Sequence, residues 1–141
     1  MNYLAHFQGR FIGITQWDDF NALMEKLISE PADDWYLYDT TTSIPKDTLS
    51  ADALIEQLIA VKTLIKIEHQ KRYCGIMYVD DLENQNFIKI FHPNNLGKSC
   101  GSREHPPIPQ WLLSKIKPVD VVEKFGPLPI KQGFISKYLK F

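Results

Sequence analysis

The residues best placed to do chemistry fall in one run, His92-Pro-Asn-Asn-Leu-Gly-Lys-Ser-Cys100-Gly-Ser-Arg-Glu-His105. A cysteine attacks as its thiolate, and nearby cations, an imidazole or a helix N-terminus lower the pKa that makes one. Lys98, Arg103 and His105 all fall within five residues of Cys100, and Gly101 would let a ligand approach the backbone. On that reading Cys100 is the nucleophile, and His105 or His92 is the base. Asn94, Asn95 or backbone amides then serve as oxyanion donors. The plainer reading is a surface turn with an incidental cysteine, because closeness in sequence does not fix geometry. No complete catalytic set is visible, so Cys100, His105 and His92 stand as candidates only. As a binding segment the same region offers Asn94, Asn95, Lys98 and Arg103, with Trp111 just beyond.

Other chemistries find less support. His92, Cys100 and His105, with His69 as a remote fourth, could in principle hold a metal. Zinc patterns, however, build on Cys–Cys or His–His pairs a few residues apart, and no such pair occurs here. Gly97-Lys98-Ser99 copies the end of a phosphate loop, but the position that needs the first glycine is His92. Asp80, Asp81 and Glu83 follow a strand-like run and read as a solvated hairpin loop. The sequence therefore predicts no metal and no cofactor.

Charge narrows the partners. The net charge is -1, but residues 1–60 hold three basic and ten acidic side chains, and residues 115–141 hold six lysines against Asp120 and Glu123. The basic tail interleaves Lys124, Lys131, Lys137 and Lys140 with Phe125, Phe134, Tyr138 and Phe141. A pI near 6.4 and an acidic first half still argue against a dedicated nucleic-acid binder. Acidic half and basic tail are expected to neutralise each other on folding. No stretch approaches the roughly 18 apolar residues a membrane span needs. The opening residues lack the pattern of a secretion signal, and two cysteines do not make a disulfide scaffold. A cytoplasmic, non-membrane setting is the expectation.

The elements that must position these groups read as follows. Arg10–Thr15 is a β-rich first strand. Thr15 is the expected N-cap of a helix carrying Trp17, Phe20, Met24, Leu27 and Ile28 at helical spacing, stopped by Pro31. Asp34–Asp39 is a second strand. Ser50 caps a second helix with a wide stripe running from Leu54 to Ile67. Tyr73–Asp80 and Asn86–His92 form a hairpin, with Lys89 the expected outward position on a central strand. Trp111–Ile116 is expected as a short helix, and 118–141 as an extended apolar segment laid over the domain and ending in one helical turn or an edge strand.

The expected fold is α+β. A β-α-β-α-β-β core carries two helices on one face of a small, at least partly antiparallel sheet, followed by a Pro-rich loop and an extended C-terminal segment. All 141 residues form one domain, divided into a core at 1–92, the loop and short helix at 93–117, and the C-terminal segment at 118–141. The function expected is a non-catalytic protein-binding or accessory domain, with another protein as partner and Trp17, Trp35 and Trp111 as possible aromatic anchors. The alternative is a small cysteine-dependent enzyme or redox factor using Cys100.

Overall fold

A computed structural model of the chain describes residues 2–68, 74–93 and 108–125. Five strands, β1 (Ile12–Ile14), β2 (Tyr36–Asp39), β3 (Met77–Val79), β4 (Phe87–Ile90) and β5 (Trp111–Ser114), form one sheet in the order β1-β3-β4-β5-β2. Every neighbouring pair is antiparallel. Among the described residues four helices accompany them: α1 (Tyr3–Phe7), α2 (Trp17–Ser29), α3 (Ala51–Glu68) and α4 (Val121–Phe125). The α+β class, the two amphipathic helices on one face and the β3–β4 hairpin match what the sequence implies.

The long helices follow their apolar spacing. In α2, Phe20, Met24 and Leu27 turn inward, while Asp18 and Asp19 sit in the first turn, where a carboxylate suits the positive end of the helix dipole. The cap is Gln16, without a side-chain bond, rather than Thr15. Thr15 is still engaged with the sheet side of the chain, its carbonyl accepting from Cys74 N at 2.9 Å. Ser50 caps α3 as expected, its Oγ accepting from Ala53 N at 3.2 Å. Leu54, Leu58, Val61 and Ile65 form the buried stripe, but Ile59 and Ile67 face outward, so the stripe is narrower than the composition suggests.

Three expectations are corrected. The segment beginning at Trp111 is a strand and not a short helix. All four residues of β5 are buried, and the strand joins β4 to β2. A four-residue run covered on both faces has no alternation to read, so Trp-Leu-Leu-Ser carries no period of either kind. Part of the segment from 118 onward is helical rather than extended, with Asp120 Oδ1 accepting from Glu123 N at 2.9 Å at the start of α4. Residues 126–141 lie outside the described residues. Lys89, finally, does not face solvent. It lies beneath α1, and its Nζ donates to the Phe7 carbonyl at 2.7 Å.

That last correction reflects a second core. On one face Ile14, Met77, Val79, Ile88, Ile90, Trp111 and Leu113 pack against α2 and α3. On the other, Phe87, Leu112 and Tyr38 meet Tyr3 and Phe7 from α1 and Val121 from α4. The α1 helix is only five residues long and too short to show periodicity, but Asn2 caps it, Oδ1 accepting from Ala5 N at 3.0 Å. No helix among the described residues is long and apolar enough to cross a membrane.

Candidate functional site

Of the chemistry-bearing residues singled out in the sequence, Cys100, His105, Asn94, Asn95, Lys98 and Arg103 lie outside the described residues. So does His69, and of the candidates in the 92–111 stretch the two that are described meet each other. His92 stacks beside Trp111 with ring centroids 6.0 Å apart and planes 25° apart. Trp111 is a core residue of β5, 5% exposed. Trp35 is similarly buried in the α2/α3 layer, which leaves Trp17 as the partly exposed member of the three.

The acidic loop is structural. Asp80 Oδ1 accepts from the Asn86 and Phe87 amides at 3.0 and 3.2 Å, closing the hairpin, and its Oδ2 lies 3.1 Å from His6 Nε2. Asp81 Oδ1 accepts from the amides of Asn84 and Glu83, and those bonds hold its carboxyl below the usual range. Among the described residues no three His, Cys, Asp or Glu side chains gather as a metal would require.

Lys89 is the most perturbed cation. Burial pushes its amine down to about 8, and the ammonium sits 4.0 Å from the centre of the Phe11 ring and 4.3 Å from that of Phe7. An amine in this state could act as a base or nucleophile. Here its hydrogen bond runs to a backbone carbonyl and aromatic rings enclose it, so the geometry suits anchoring α1 rather than turnover. Burial likewise raises the Tyr3 hydroxyl well above its ordinary range. It takes Tyr38 up to about 12, with the Asp120 carboxylate beside it as the second cause.

The sheet has two edge strands, β1 and β2, and the β1 edge borders an open groove. This strand lies at the end of the sheet, with β3 on one side only. Because α2 begins three residues after β1 ends, the helix lies alongside the strand and forms one wall of a groove. The groove measures about 490 Å³, and its lining includes Ile12, Gly13 and Thr15 from the strand side, Leu23 and Lys26 from α2, and Leu82 from the hairpin loop. Ile12 is 40% and Leu82 59% exposed, so two apolar side chains flank the opening.

No family model, curated protein or solved structure matches the chain. The geometry of the edge therefore carries the functional reading by itself.

Within β1 the glycine is required by a close approach. A Cβ on Gly13 would meet the Tyr78 ring at 3.1 Å, so the missing side chain lets Tyr78 lie across one face of the strand at this position. Edge strands that resist pairing usually carry lysine, proline or a bulge; Ile-Gly-Ile carries neither a charge nor a proline. The rim is acidic on balance. Asp19 and Lys26 line the groove, and Asp81 and Glu83 bracket Leu82 in the loop. The sequence shows the strand but not its place at the edge, because strand order is not written in local pattern.

Proposed function

We propose that the protein is a non-catalytic protein-binding domain that takes an extended segment of its partner along β1. The observation that supports this reading is a short, uncharged edge strand, paired on one side only, that borders a groove with apolar flanks. In strand addition, main-chain hydrogen bonds supply affinity, while alternate side chains enter pockets and set specificity. The partner segment would place apolar side chains over Ile12, Leu23 and Leu82. It would direct a lysine or arginine toward Asp19, Asp81 or Glu83.

The experiment is to isolate a stoichiometric partner, map protection by amide hydrogen exchange, and compare Ile12→Lys and Leu82→Lys with the parent chain. Both side chains reach solvent, Ile12 at 40% and Leu82 at 59% exposure, so the fold should tolerate each change. Protection at residues 12–14, with affinity lowered about tenfold or more by either substitution, would support the reading. Unchanged affinity in both variants, or protection confined to other elements, would refute it.

A further inference from the structure

The chain around β1 carries charges of opposite sign at its two ends. Arg10 precedes the strand, and Asp18 and Asp19 follow it in the first turn of α2. All three are exposed, and among the described residues none of them has an ion-pair partner. The backbone stays extended past the strand as far as Gln16, at φ -104° and ψ 138°. Phe11 packs into the layer beneath α1, whereas Ile12 and Ile14 line the groove beside α2. Alternation along the extended chain therefore puts Arg10 on the α2 side too.

We propose that the β1 edge binds a second copy of the chain, β1 against β1, antiparallel about a two-fold axis at Gly13. This rests on the strand-addition reading and names its occupant. A two-fold axis makes the central residue meet itself, and glycine brings no side chain to that meeting. One step out, Ile12 lies opposite Ile14 of the copy, a β-branched pair of the kind that stabilises antiparallel strands. Three steps out, Arg10 lies opposite Gln16 of the copy, within a side chain's reach of the copy's Asp19, which lines the groove. The same Arg–Asp pair recurs on the other side of the axis, so each copy supplies the cation that the other's acidic rim lacks. A slipped register would lose both pairs together, so the charges fix the alignment as well as favouring it.

The test is sedimentation of the full chain between about 1 and 300 µM, with amide hydrogen exchange measured at both ends of that range. Three strand residues and part of one helix make a small interface, so a dimer with Kd on the order of 10 µM is expected. Exchange at residues 12–14 should slow as the dimer forms. Arg10→Glu breaks both ion pairs and should weaken association about tenfold, and Arg10→Glu/Asp19→Arg should recover most of that loss. Both positions are exposed, so the fold should tolerate the changes. A chain that stays monomeric over the range, a dimer with unchanged exchange at 12–14, or an Arg10→Glu variant that associates like the parent would each overturn the proposal. Strand addition by a different protein survives a monomeric result. That broader reading fails instead when partner affinity is unmoved by Ile12→Lys and Leu82→Lys.

Discussion

On the face of the sheet covered by α2 and α3, helices of 13 and 18 residues meet seven sheet-side residues, and the shared layer contains apolar side chains throughout. On the opposite face two five-residue helices do the covering, and the layer they close also holds Lys89, Tyr3, His6 and the Tyr38–Asp120 contact. The first face is closed by area alone. The second depends on short elements held by individual polar contacts, several of them incompletely satisfied. His6 Nδ1 and the Tyr3 hydroxyl are both buried without a hydrogen-bond partner among the described residues. The difference shows where the molecule is firm and where it should yield: the α2/α3 layer should set global stability, and α1 should open first.

The largest effect is expected on the firm face. Leu58 is fully buried between α3 and the sheet, so Leu58→Ala removes its burial and leaves a cavity. A loss of about 2–5 kcal/mol in urea unfolding is expected. A loss below about 1 kcal/mol would mean that α3 repacks easily and that the contrast between the faces is overstated.

Next in size is the contribution of Lys89, and its sign can be worked out. Its amine titrates near 8 in the folded chain against an ordinary 10.5, so above pH 8 the unfolded chain binds a proton that the folded chain does not. Stability therefore climbs as pH rises from about 8. The climb flattens near pH 9, where the buried Cys74 thiol, raised from 9.0, keeps its proton while the unfolded chain loses one. Beyond about pH 10 stability falls, because Tyr38, held up at about 12, stays protonated only when folded. A shift of this size for Lys89 corresponds to roughly 3 kcal/mol at most, and the Phe7 carbonyl and two rings return part of it. Lys89→Met should accordingly gain about 1–2 kcal/mol at pH 7 and abolish the climb above pH 8. A variant that keeps the climb would assign it to another group.

How far the sequence revealed this division follows from element length. The α2 and α3 stripes repeat over several turns, so Phe20, Met24, Leu54 and Leu58 could be placed on an inner face before any coordinates. The second face was not legible. Its cover comes from Tyr3, Phe7 and Val121, in helices shorter than two turns, and its central cation sits at a position where alternation predicts solvent. Trp111–Ser114 failed for a related reason, since a strand buried on both faces loses the period that would reveal it. At the candidate site, RFIGIT was readable as a strand, but its exposure follows from lying at the end of β1-β3-β4-β5-β2, a fact of strand order.

A smaller effect should localise to α1. Asn2→Ala removes the side-chain cap on Ala5 N and should cost about 0.5–1 kcal/mol. If α1 is the yielding element, hydrogen exchange should speed up in residues 5–9 and stay unchanged in α3. Equal acceleration in both helices would show that α1 unfolds only with the whole domain.

The smallest change tests whether the second face is imperfectly satisfied at all. Tyr3 is 5% exposed and its ring packs 4.9 Å from that of Phe87, but its hydroxyl meets no partner. The Ser114 hydroxyl lies close enough to influence that of Tyr3, but its proton goes to the Ile116 carbonyl at 2.7 Å and the two side chains do not meet in hydrogen-bonding geometry. A buried hydroxyl in that state has lost its water without replacement, and deleting it keeps the ring contact while removing the desolvation cost. Tyr3→Phe should therefore stabilise the protein, by up to about 1 kcal/mol, where the same change at a satisfied tyrosine destabilises. Tyr38→Phe supplies that control, because its hydroxyl donates to Asp120 Oδ1 at 3.4 Å. Opposite signs for the two variants would tie the weakness of this face to particular unsatisfied atoms. Destabilisation by both would mean that the Tyr3 hydroxyl is served after all and that short helices alone explain the difference between the faces.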